Sequence, residues 1–152
     1  MPNVHDVAAA ILAELGKPVT AMKLQKLAYY SKAWHSVWDD EELFPENFQA
    51  WVNGPVCYEL YQEHRGAFSV TEWPKGNPRR LSKPQLETIR AIVASYGDKS
   101  AWELSNLTHN EAPWVDARSG VPPMQRSSNV ITLESMAEYY GSLTDDFDLV
   151  TE

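Results

Sequence analysis

At 152 residues, 43 % apolar and 22 % charged, the chain has room for one domain and the balance of a protein that folds rather than staying disordered. Thirteen Lys plus Arg against twenty-one Asp plus Glu leave a net charge of −8, which argues against nucleic acid as the main ligand because phosphate binding runs on excess positive charge. The single Cys57 excludes an intramolecular disulfide and a cysteine-based zinc cluster, and with neither a leader-like start nor an apolar run near ~20 residues the chain is expected to be cytoplasmic, with no membrane partner.

Val4, Val7, Ala8, Ile11, Leu12 and Leu15 recur at helical spacing between Asn3, a capping residue, and Gly16, which predicts a first helix. Pro18 and Thr20 introduce a second, on which Leu24, Leu27, Ala28, Ser31, Trp34, His35 and Trp38 share one arc. Met22, Tyr30, Ala33 and Val37 widen that arc until only a polar strip at Gln25, Lys32 and Ser36 is left, the pattern of a central helix. The acidic run Asp39 to Glu42 ends it. Phe48 to Val52 alternates like a short strand, and Asn53, Gly54 and Pro55 read as a turn that starts a third helix, with Val56, Leu60 and Tyr61 inward and Cys57 in its first turn.

A second short strand is expected at 68–73, followed by an exposed loop, Pro74 to Pro78, in the basic stretch of Lys75, Arg79, Arg80 and Lys83. Ser82 with Gln85, and Ser100 with Glu103, are capping-box pairs. They open helices carrying Leu86, Ile89, Ile92, Val93 and Tyr96, and then Trp102, Leu104 and Leu107. Pro113 and Trp114 start another short helix, 121–129 is irregular, and Thr132 caps a last helix with Leu133, Met136, Ala137 and Tyr140. The fold class is mostly α: a compact single-domain helical fold with a small β element near 48–52 and 68–73. The acidic segment 144–152 is expected to fray.

Little in the chain looks like chemistry. His5, His35, His64 and His109 are far apart, and none has a His at the i, i+3 or i, i+4 spacing that places two metal ligands on one helical face. His35 reads as a bonded core histidine, His5 and His64 as surface residues. Cys57 in a first helical turn would have a dipole to favour thiolate, but no local base or oxyanion site accompanies it. Nucleophile elbow, phosphate loop and dinucleotide fingerprint are absent. No catalytic residue, cofactor or metal is expected, and the chain is read as not an enzyme.

Three blocks stand in order: Met-Lys-Leu-Gln-Lys-Leu-Ala-Tyr-Tyr from Met22 to Tyr30 with Trp34 and His35 following, Ala50 to Val56 continuing to Glu59, Leu60 and Tyr61, and Ser100 to Trp114. Together they resemble the Panacea domain, the family of the SocA-type antitoxins and of phage-associated GepA-like proteins, across Val4 to Tyr140. The resemblance implies an antitoxin domain over 1–143. It would neutralise, by protein–protein contact, a cognate toxin encoded in the same operon, in a toxin–antitoxin or phage-defence setting. The toxins of the family are unrelated to one another and include toxic small alarmone synthetases. One relative acts as an adaptor delivering its toxin to ClpXP, so protease delivery is an alternative. An autoregulatory DNA-binding protein is another, and an enzyme built on His109 and Glu111 a third.

Within the blocks, Leu24, Leu27 and Trp34 read as core, Gly54 and Pro55 as a turn, Ser100 and Glu103 as a cap, and Pro113 as a helix start. Lys23, Lys26, Trp51, Asn53, His109, Glu111 and Trp114 are the candidate partner-binding residues, polar groups set beside aromatics as at interface hot spots. A local network of His109 and Glu111 holding the Pro113 turn is the alternative. Of the six tryptophans, Trp34 and Trp102 are assigned to the core and Trp51 and Trp114 to an interface. Asp145, Asp146 and Asp148 are candidates to meet a basic toxin surface.

Overall fold

The computed structural model describes residues 1–151, with side chains for 1–144. Its helices are α1 (Val4–Leu15), α2 (Ala21–Trp38), α3 (Tyr58–His64), α4 (Lys83–Tyr96), α5 (Ala101–His109), α6 (Ala112–Ala117) and α7 (Leu133–Thr151). Short strands sit between them: β1 (Val19–Thr20), β2 (Phe48–Trp51), β3 (Gly54–Cys57), β4 (Ser69–Val70) and β5 (Val130–Ile131). Among the described residues no helix is long and apolar enough to cross a membrane. The acidic side chains Asp145, Asp146, Asp148 and Glu152, expected to fray, lie outside the described residues.

The helix starts follow the caps. Asn3 and Asp6, Ser82 and Gln85, and Ser100 and Glu103 each form a reciprocal capping box, while Thr20 accepts from the Lys23 amide and Thr132 from the Ser135 amide. Gly16 ends α1 at φ 66°, a left-handed position that suits glycine.

α2 is the axis of the molecule and packs against α1, α4, α5, α7 and β3. It is buried on nearly every side, so the strip predicted to be its polar face is inside. Gln25, Lys32 and Ser36 are all buried. Each survives there because it has a partner. The Lys32 ammonium donates to the Glu46 carbonyl at 2.6 Å and lies 5.1 Å from the Phe44 ring centre. Ser36 bonds back to the Ala33 carbonyl at 2.6 Å. His35, in the core as expected, is held by Thr88 at 2.7 Å and Glu41 at 3.2 Å.

Two antiparallel sheets flank α2: β1 with β4, and a three-stranded sheet ordered β3-β2-β5. The second departs from the sequence reading. Trp51 pairs with Gly54 and Phe48 with Cys57, so Val52 and Asn53 form the turn, and Gly54 to Cys57, expected to enter a helix, is a strand. Proline is tolerated there because β3 is an edge strand, where a missing N–H leaves no gap in a ladder. The strand expected at 68–73 shrinks to Ser69–Val70, and β5 forms where no strand was expected.

Trp73 instead turns inward and donates to His5 Nδ1 at 3.0 Å, and the rings of His5 and His64 both lie against it. This is why His5 and His64, expected at the surface, are buried. The following loop is pinned rather than free: the Asn77 amide donates to Asp6 at 2.8 Å, and a Cβ on Gly76 would stand 1.9 Å from the His5 carbonyl oxygen.

Candidate functional site

The second and third sequence blocks meet at the β2–β3 turn. A tight turn leaves several carbonyls pointing away from the sheet, and buried ones need donors. Four consecutive carbonyls find them on α5 and α6 or just beyond. Ala50 accepts from Arg118 at 2.9 Å, Trp51 from the Trp114 indole at 2.8 Å, Val52 from His109 Nε2 at 2.8 Å and Asn53 from Ser105 at 2.6 Å. The donors come in two i, i+4 pairs, 105 with 109 and 114 with 118, so one face of each short helix supplies two.

His109, Trp114 and Arg118 also stack on one another, with the His109 ring 4.3 Å from the Trp114 ring and the guanidinium 4.9 Å from it. His109 must carry its proton on Nε2 to donate. Burial lowers its pKa from the usual value, so the neutral ring is favoured. Arg118 further binds the carbonyls of Pro122 and Gln125, tying down the chain that leads to β5.

Under this turn lies Lys26. Gly54 sits at φ 114°, and a Cβ there would be 2.7 Å from Lys26 Cε and 2.9 Å from Thr108 Oγ1, so only glycine fits on both counts. The Lys26 ammonium is fully buried and has no hydrogen-bond partner among the described residues. Burial alone pushes its pKa down to about 7. One residue earlier in α2, Gln25 acts as a substitute strand: it accepts from the Cys57 amide at 2.8 Å and donates to the Cys57 carbonyl at 3.1 Å, completing the edge of β3. Its amide also meets His64 Nε2 at 3.0 Å. Cys57 therefore caps α3 instead of lying in its first turn, and burial pushes its thiol up to about 12, away from thiolate.

The other singled-out residues divide. Glu111 does not brace the Pro113 turn locally. It is buried and accepts from the Tyr30 hydroxyl at 2.7 Å and the Tyr140 hydroxyl at 2.8 Å, joining α2, α6 and α7. Burial raises its pKa. Lys23 donates to the Gly97 carbonyl at 2.6 Å, fastening the end of α4 to α2. Leu24 and Leu27 are fully buried, and Trp34 packs on Tyr140 at 5.3 Å. Pro113 occupies the first turn of α6. Of the tryptophans, Trp114 faces inward into the turn, and Trp102, assigned to the core, is 73 % exposed because it lies beside Ser100 on the solvent side of α5.

Trp51 and Asn53 alone among the candidates line a cavity of the described residues. Two adjoining cavities, of about 780 and 500 Å³, share Met22, Trp51, Asn53 and Tyr61 in their walls and form one groove. Its floor is aromatic: Trp51 lies 5.0 Å from Tyr61, and Tyr58 is stacked on Tyr61 at 6.2 Å. Phe68, 84 % exposed, borders one end. Gln25 and Ser105 lie inside the recognised blocks and Arg118 just beyond the third, but their spacing carries no sign that their partners are backbone groups more than thirty residues away. Among the described residues no group of three His, Cys, Asp or Glu side chains is placed to hold a metal.

A family model described as antitoxin SocA-like, Panacea domain, matches residues 24–115. That span runs from α2 to α6 and includes Lys26, the turn, and the donors Ser105, His109 and Trp114, while Met22 and Arg118 fall outside it. No curated protein and no solved structure matches the chain.

Proposed function

The chain belongs to the SocA-like antitoxin family with a Panacea domain, and from that premise we propose that it neutralises a cognate toxin by binding it directly, with the groove beside the 51–54 turn as the contact surface. The observation that carries this reading is the groove itself, an open aromatic surface made by Trp51, Tyr58 and Tyr61 against a turn whose carbonyls are all held. Aromatic side chains supply large contact area at low entropy cost, and a wall that is already rigid loses little on binding. Trp51 and Asn53 then touch the toxin, while Lys23, Lys26, His109, Glu111 and Trp114 shape the scaffold behind them.

The test is co-expression with the product of the adjacent open reading frame. The wild-type chain should restore growth and co-purify with that product. Tyr61→Ala combined with Tyr58→Ala should lose both while keeping its melting temperature within a few degrees. Rescue without complex formation would end the direct-binding reading. Delivery to a protease such as ClpXP predicts that the toxin disappears on co-expression, whereas steric block predicts that it accumulates in the complex.

A further inference from the structure

The groove differs in charge from the molecule around it. The chain carries −8, yet among the described residues no Asp or Glu lines either part of the groove, and Arg126 and Arg65 border its two parts. Both arginines are exposed, and neither has an ion pair among the described residues. Asn53 and Ser128 add uncharged polar groups beside Arg126. Resting on the antitoxin reading, we propose that the groove takes an acidic segment of the toxin: one large apolar side chain seated on Trp51 and Tyr61, flanked by carboxylates that pair with Arg126 and Arg65.

The charge argument is local. At physiological salt, charges more than ~8 Å apart are largely screened, so what a ligand feels inside the groove is set by the charges nearest it, Arg65 and Arg126 on the lining first, and not by the total of −8. A basic segment would bring cations against two guanidiniums that have no ion pair among the described residues; an acidic one gains two charge-assisted contacts of the kind arginine makes best. The apolar floor supplies the anchor and the arginines the register, the usual division between a buried hot spot and a charged rim. The acidic balance of the whole chain, which by itself points to a basic partner, therefore does not describe this surface.

The full chain is tested against overlapping peptides tiled through the product of the adjacent open reading frame, alongside Arg65→Glu with Arg126→Glu. Both positions are solvent-exposed, and a thermal melt establishes that the variant folds. The peptides retained by the wild-type chain should carry an aromatic or large aliphatic residue between Asp or Glu residues. The double reversal should weaken them by ~10-fold or more at about 50 mM salt, and by much less at about 500 mM. Retained peptides that are basic, retention that ignores the reversal, or no retained peptide each overturn the proposal. In those cases intact growth rescue by the wild-type chain leaves the antitoxin reading standing, whereas failed rescue removes both.

Discussion

Glu111 and Lys26 are two buried ionisable side chains from the same recognisable blocks, and the structure treats them in opposite ways. The carboxylate receives hydroxyl donors from Tyr30 and Tyr140, and Tyr140 continues to Tyr29 at 3.2 Å. The ammonium, beneath Gly54, has no partner among the described residues. A buried charge with partners is costly to break, and one without partners is costly to keep. Glu111 is thus a strut between α2, α6 and α7. Lys26 is a retained destabilising group, and a purely structural residue at its position would be apolar.

The largest effect separating the two is expected from Glu111→Ala. It strands the buried Tyr30 hydroxyl, leaves Tyr140 only its 3.2 Å bond with Tyr29 and opens a cavity, and should destabilise the fold by on the order of 3–4 kcal/mol in urea or thermal unfolding. Glu111→Gln keeps an acceptor and should cost about 1 kcal/mol. The pH profile carries a second signature. Because the folded carboxyl titrates above its ordinary 4.5, its contribution is fully favourable below that value and declines as pH rises through the folded pKa. The decline should be missing in Glu111→Gln. Equal losses for Ala and Gln would show that the hydroxyls find other partners.

Lys26→Met should go the other way and stabilise the chain by on the order of 2–3 kcal/mol at pH 6, since it keeps the stem and removes the unpaired charge. The folded ammonium titrates at about 7 against an ordinary 10.5, so between those values the unfolded chain binds more protons. Wild-type stability should gain from this group as pH rises from 7 towards 10.5, and the variant should lack that gain. Two buried charges give two slopes of opposite sign: a Lys26→Met profile parallel to wild type would mean that the ammonium is solvated after all. If the gain in stability comes with lost neutralisation, Lys26 is kept for function.

How much of this the sequence disclosed depends on the range of the interaction. Caps are local, and Asn3, Thr20, Ser82, Ser100 and Thr132 each marked a helix start correctly. Apolar periodicity identified α2 as central. It misjudged Gln25, Lys32 and Ser36, because polarity predicts solvent only when no partner is waiting, and here Cys57, Glu46 and Ala33 are. Gly54-Pro55 was ambiguous for a physical reason: proline suits both the first turn of a helix and an edge strand, and only the pairing with Ala50 decides. The site was half legible. Trp51, Asn53, His109 and Trp114 stood out as polar and aromatic residues in a motif, but that all four join one network through carbonyls 50–53 depends on bonds spanning more than fifty residues.

The turn and the exposed face of α5 give the smaller contrasts. Trp114→Phe preserves the ring between His109 and Arg118 but removes the bond to the Trp51 carbonyl, so it should cost about 1 kcal/mol, the worth of one buried hydrogen bond. Its larger consequence should be on the partner: a loosened turn shifts Trp51 and Asn53, and toxin affinity should fall while the melting temperature changes by only a few degrees. Trp102→Ala, equally drastic on paper, removes a ring that is 73 % exposed and should stay within about 0.5 kcal/mol of wild type. Should Trp102→Ala instead abolish toxin binding with the fold intact, the contact surface would have to extend beyond the groove onto α5, whose Ala101 already borders it.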